Sequence, residues 1–148
     1  AAGAGGGQSA GVGDDASIDL RSKVLALSLL VDILKENGHT FRRGERFIAA
    51  VKQYLCLSLL KNGVCPVVRV LALSLQLLLL LLEHMRDHLK NEMGVVFSNV
   101  YLLVLESPHA SGAQKLAVAS ALRTLLSRPQ LCVDLFVNYD CDVEGASL

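Results

Sequence analysis

The sequence predicts an all-α fold: an armadillo/HEAT-like α-solenoid of stacked helical hairpins, with a closed helical bundle as the alternative. Three observations predict it. Leu dominates a chain that is 52% hydrophobic but only 5% aromatic and has no Trp, a balance that suits helix-on-helix packing more than a sheet. Apolar residues recur at spacings of three and four along most of the chain, and nowhere does a period-two alternation hold beside turn chemistry. Helix starts follow one another about every twenty to thirty residues, so each hairpin can bury its face against the next. No fixed sequence repeat is visible, so the repeat is one of architecture.

The elements follow in order. Residues 1–16 are mostly Gly and Ala, with neither a positive n-region nor an apolar h-region. They are expected to form a flexible linker, not a signal peptide, and residues 17–148 a single helical domain. The chain has no initiator Met, so a domain cut from something longer is expected. Ser17 can cap a first helix that carries Leu20, Val24, Leu27, Val31 and Leu34 on one face, and Asn37-Gly38 is expected to stop it. A second helix starts near Gly44-Glu45, presents Phe47, Ile48, Val51, Leu55 and Leu59, and ends at Lys61-Asn62-Gly63.

Pro66 suits the first turn of a third helix, which is nearly all apolar and unbroken from Leu77 to Leu82. Its polar residues Arg69, Gln76, Glu83 and Lys90 repeat every seven positions, with Ala72 and Arg86 on the same side. One narrow polar stripe means neighbours on most of the circumference. A fourth helix runs from Met93 to Glu106 around Val96, Val100, Leu103 and Val104, and stops at Ser107-Pro108. A fifth spans Gly112 to Ser127, with Leu116, Ala119, Leu122 and Leu126 expected inward and Lys115 and Arg123 outward. Pro129 starts a short sixth helix that ends at a polar corner, Asn138-Tyr139-Asp140-Cys141-Asp142, whose short side chains bond to nearby backbone and so end one helix and cap another.

Several function classes are disfavoured. Lys+Arg and Asp+Glu balance at 14 each, so there is no electrostatic footprint for nucleic acid. The cysteines Cys56, Cys65, Cys132 and Cys141 form no Cys-x-x-Cys pair and read as reduced, mostly buried thiols of a cytosolic protein. The apolar run Val70–Leu82 is short for a membrane span and suits a core helix. His84 and His88 stand four apart, but Met85 occupies the place a zinc-protease motif gives to Glu, and the stretch reads as a solvated helix end. Asp32, Glu36, Asp87 and Glu92 make no acid/base pair, no Ser or Cys stands in a nucleophile motif, and the N-terminal glycines lack the context of a phosphate loop. No cofactor, no metal and no enzymatic activity are expected. Phe41-Arg42-Arg43-Gly44-Glu45-Arg46-Phe47 reads as a helix start with solvated arginines and a Phe staple.

The chain also resembles a family. Phe41-Arg42-Arg43-Gly44-Glu45-Arg46-Phe47-Ile48, then Lys52-Gln53-Tyr54-Leu55-Cys56, and then Leu59, Lys61, Asn62 and Gly63 look like one segment of the large Arf guanine nucleotide exchange factors of the brefeldin-A-inhibited (BIG) class. Leu89-Lys90-Asn91-Glu92-Met93-Gly94-Val95-Val96-Phe97 is similar to a second segment. Val133-Asp134-Leu135-Phe136-Val137, leading into Asn138, Tyr139, Asp140, Cys141 and Asp142, resembles the box of their homology-upstream-of-catalytic-domain (HUS) region, in a Mon-two/BIG-like form. The family's box continues into a Phe-Glu-Arg helix, and this chain stops before it at Leu148, so the domain is expected to be truncated.

The resemblance implies a non-catalytic regulatory and protein-interaction domain whose box helps hold it to the upstream dimerisation (DCB) domain of the same protein. Through the parent protein it implies Arf-family GTPases as partners, peripheral membrane association, a role in Golgi and endosome vesicle transport, and a cytoplasmic protein cycling onto Golgi, trans-Golgi or endosomal membranes. The alternative is a stand-alone α-solenoid adaptor or scaffold in protein transport.

Overall fold

The structure, a computed structural model, describes residues 11–137. Residues 1–10 and the Asn138–Asp142 corner lie outside the described residues. Every regular element described is helical: α1 (Gly11–Phe41), α2 (Glu45–Ala50), α3 (Cys56–Gly63), α4 (Val68–Met85), α5 (Lys90–Val96), α6 (Leu103–Glu106), α7 (Gly112–Leu126) and α8 (Pro129–Leu135). A π turn, Val51–Leu55, joins α2 to α3, another, Phe97–Leu102, joins α5 to α6, and a 3-10 turn, Arg86–His88, follows α4. The described residues thus form six consecutive rods, as the periodicity predicts.

The boundaries of α1 differ from expectation at both ends. It starts at Gly11, ahead of the expected Ser17 cap, so the last part of the expected linker is helical. It also runs through Asn37-Gly38 to Phe41. Gly38 marks a crossing, not a stop: a Cβ there would collide with the ring of His84 on α4. The rod ends at Phe41, whose ring stacks on Phe47 at 4.3 Å between centroids, while Arg42, Arg43 and Arg46 stay exposed. That is the expected Phe staple.

The two π turns are absent from the sequence reading, which has plain helices there. A π turn carries an extra residue per turn and shifts the inward face. The buried positions record it: Val51 and Cys56 are five apart, as are Val96 and Tyr101, and all four lie in the core.

Helix α4 packs against α1, α3 and α7, α3 packs on α5, α6 packs on α7, and α7 packs on α8. The main packing therefore joins rods one or two apart in sequence. Helices α1, α4 and α7 lie side by side, and the α2–α3 and α5–α6 rods form the neighbouring row. The central position of α4 explains its composition. Val70, Leu71, Leu75, Leu77, Leu78, Leu81, Leu82 and Met85 are all buried, while Arg69, Ala72 and Glu83 keep the narrow polar stripe at the surface. Ser74, also buried, donates its hydroxyl to the Val70 carbonyl at 2.8 Å, so no polar group is orphaned there. The apolar segment is longer than expected. Val68–His88, 21 residues, contains an 18-residue window with a mean hydropathy of 1.7, long and apolar enough to cross a membrane; here half of that window is buried, against the three helices that pack on α4.

Helix α7 presents a face shifted from the expected one, although Leu122 packs against the core as expected. Val118, Ala121 and Leu125 are buried, whereas Leu116 is 68% and Leu126 63% exposed. Two stripes of small and apolar residues run along this helix, and only the neighbouring α4 and α6 decide between them. Its start is fixed by a capping box: the Gln114 N–H donates to Ser111 Oγ at 3.2 Å, and the Ser111 N–H to Gln114 Oε1 at 2.8 Å. The Gln114 amide also donates to the Cys65 carbonyl at 3.2 Å, tying this corner to the loop before α4.

Candidate interaction surface

The C-terminal edge is where the sequence places a partner contact, and α8 sets its geometry. Pro129 opens the helix at N1/N2, where a missing N–H costs little. Leu131 plugs it into the core. Two ion pairs then hold it to the end of α4 and the turn beyond. Arg128 meets Glu83, and Arg86 Nε lies 3.0 Å from Asp134 Oδ2. Asp134 also accepts from Gln130 Nε2 at 3.0 Å, and the Cys132 thiol donates to the Leu126 carbonyl at 3.4 Å. Glu83 and Arg86, which the sequence reading leaves as a solvated stripe, are therefore the clamp of α8. The polar stripe singled them out, but their partners lie about forty-five to fifty residues on, beyond the reach of any local pattern.

With α8 held this way, Val133, Phe136 and Val137 face solvent, Phe136 at 57% exposure. They are spaced i, i+3, i+4 and form an apolar strip immediately before Asn138 in sequence. Asn138, Tyr139, Asp140, Cys141 and Asp142 themselves lie outside the described residues. Such an edge can bind another protein surface.

Burial, with Glu92 adding and Lys52 opposing, pushes the Cys56 thiol from the usual 9 up to about 11, so it stays protonated and unreactive at neutral pH. Burial likewise raises the Tyr101 hydroxyl, and Lys52 and Glu92 pair with each other at 3.4 Å. Cys56, Cys65 and Cys132 are free, buried or half-buried. His84 and His88 do not share a helical face, because α4 ends at Met85 and His88 lies in the 3-10 turn. Among the described residues, no group of three or more His, Cys, Asp and Glu could hold a metal ion.

Two measurements follow from this geometry. Ion pairs this exposed contribute about 0–1 kcal/mol each, so Arg86→Ala should scarcely move the melting temperature but should raise amide exchange across 129–137. Unchanged exchange there would show that Leu131 alone holds α8. The thiol shift gives an alkaline signature. The folded state holds the Cys56 proton more tightly than the unfolded chain, so its contribution is full below about pH 9 and lost as pH rises through about 11. The urea midpoint should fall across that window, Cys56→Ala should flatten the fall, and a wild-type midpoint level to pH 11 would contradict the burial of the thiol.

The model of one protein family, described as "Mon2/Sec7/BIG1-like, HUS domain", matches residues 6–148. The chain belongs to that HUS-domain family. Among curated proteins, this HUS domain is 44% identical over 135 residues to the brefeldin A-inhibited guanine nucleotide-exchange protein 1 of rat and of human, covering 91% of the chain and 7% of the relative. Brefeldin A-inhibited guanine nucleotide-exchange protein 4 of Arabidopsis thaliana is 43% identical over 136 residues, covering 91% of the chain and 8% of its own length. No solved structure matches. The HUS domain thus spans less than a tenth of these relatives, and the segments that carried the resemblance fall on named elements: Phe41–Gly63 runs from the last residue of α1 through the α2–α3 rod, Leu89–Phe97 spans α5 and one residue on either side, and Val133–Val137 covers the end of α8 and the two residues after it.

Proposed function

We propose that this HUS domain is a non-catalytic regulatory and protein-interaction module of an Arf guanine nucleotide exchange factor acting in Golgi and endosome vesicle transport. The exchange reaction on Arf GTPases belongs to another part of the parent protein. The names of the relatives support the exchange-factor reading, and the small share of their length that the chain spans leaves ample room for a separate catalytic domain. In this reading the rods continue as an armadillo/HEAT-like solenoid, supported by the packing of each rod on those one or two positions away. The parent protein is cytoplasmic and cycles onto Golgi, trans-Golgi or endosomal membranes.

The observation that carries the interaction role is the exposed strip Val133, Phe136 and Val137, which immediately precedes Asn138 in sequence on a helix tied to the end of α4 and the turn beyond. An exposed apolar strip followed in sequence by polar residues supports a docking edge with a hydrophobic centre and a polar rim. The partner is the upstream dimerisation (DCB) domain of the same protein, met by Asn138, Tyr139, Asp140, Cys141 and Asp142. Loss of a capping carboxylate costs about 1 kcal/mol, too little to unfold a domain of this size. Asp140→Ala and Asp142→Ala should therefore leave the fold intact and weaken binding to the upstream domain, measured by calorimetry with the two domains as separate chains. Undiminished binding by both variants would remove the corner from the interface.

A further inference from the structure

Helices α1 and α3 both pack on α4, and an open groove of about 510 Å³ remains between them. Its floor is apolar, with Leu30 of α1 and Leu55 of the π turn among its lining residues. Lys23 stands on the α1 wall and Lys61 on the α3 wall, with Ser22 and Ser58 beside them. Neither lysine forms an ion pair among the described residues. The groove has an apolar base and a cation on each bank, with no acidic residue in its lining.

We propose that this groove is a docking site for an acidic amphipathic helix of a partner protein. A helix lying in a groove between two others offers apolar residues at i, i+3, i+4 and i+7 to the floor, and this floor is built for such a stripe. Charge complementarity selects the flanks. Asp or Glu on both sides of the stripe pairs with Lys23 and Lys61, whereas a basic helix meets two cations in the groove's lining. Ser22 and Ser58 supply hydroxyls to the same carboxylates. The inference uses none of the residues of the proposed C-terminal interface and stands independently of it.

The test is a selection from a phage-displayed library of helical peptides against the full chain, followed by fluorescence anisotropy with the recovered peptides. The expected result is enrichment of sequences with acidic residues flanking an apolar stripe. Their affinity should fall by about tenfold or more for Lys23→Glu/Lys61→Glu and stay unchanged for Lys35→Glu, an exposed lysine of α1 outside the groove. Peptides with Lys in place of the acids should then prefer the charge-reversed variant, a rescue that a misfolded variant cannot give. Enrichment of basic or uncharged peptides, or binding indifferent to both groove lysines, overturns the proposal. So does concentration-dependent self-association lost in the double variant, which would make the occupant a second copy. Flotation with phosphatidylserine vesicles that depends on Lys23 and Lys61, in the absence of peptide selectivity, would assign the groove to an anionic membrane and overturn it equally.

Discussion

Gly63→Ala is expected to destabilise the domain by about 2 kcal/mol, against the usual direction of a Gly-to-Ala change in a helix. Gly63 is the last residue of α3, and a Cβ built on it would lie 2.5 and 2.7 Å from the two methyl carbons of Val100 and 3.1 Å from its Cβ. Val100 is buried in the π turn and stiff at χ1. Because both methyls and the branch point crowd the site, no rotamer clears it, and the backbones of the two rods must part. Overpacking of this kind costs about 1–3 kcal/mol, against a gain from helix propensity of at most about 1 kcal/mol. Urea unfolding of Gly63→Ala, Val100→Ala and the double variant separates the terms. Val100→Ala opens a cavity that the new methyl fills, so the double variant should be more stable than the sum of the single losses by about 0.5–3 kcal/mol. Strict additivity would show that the two rods do not approach at this point.

Leu81→Ala should be the more damaging change, with a loss of about 2–5 kcal/mol. Leu81 has no exposed surface and lies on the helix that α1, α3 and α7 share. A void there is felt by three neighbours, none of which can close it without leaving another. Total stabilities near 5–15 kcal/mol make that a large fraction. Its immediate neighbour Leu80 is half-buried, and Leu80→Ala should cost less. Leu25→Ala, at an exposed position of α1, should fall within about 0.5 kcal/mol of wild type. Chemical denaturation of the three variants checks the order, and equal losses at Leu80 and Leu81 would mean that the run is not divided into an inner and an outer face as described.

That contrast also shows what could be read in advance. The six rods were legible because helix starts and stops are local chemistry: Pro129 at the head of α8, Gly63 at the tail of α3, and the Ser111–Gln114 pair before α7 all act within four residues. Gly38 misled for the same reason. A glycine that ends a helix and one that admits a crossing ring are the same letter, and only His84, far along the chain, distinguishes them. The face of α7 was ambiguous because Val118, Ala121 and Leu125 alternate with Leu116, Ala119 and Leu126 in stripes of equal quality. The π turns shift the period by one residue, a signal visible in the spacing of Val51 and Cys56 only once their burial is known. At the candidate surface, the family segments led to α8 and the corner after it, whereas the clamp by Glu83 and Arg86 joins positions no local rule connects.

The central position of α4 has a consequence in time as well as in space. A ribosome delivers Val68–His88 before it delivers α7, the helix that closes over one side of it. The interval is about forty residues, roughly 2–8 s at synthesis rates of about 5–20 residues per second. During it a segment apolar enough to cross a membrane is covered only by the rods already made. The nascent domain is therefore most exposed to aggregation, and to any factor that collects apolar segments at the ribosome, between the synthesis of His88 and of Leu126. Substitutions that slow the docking of α1 or α3 onto α4 would lengthen that window without changing the finished fold.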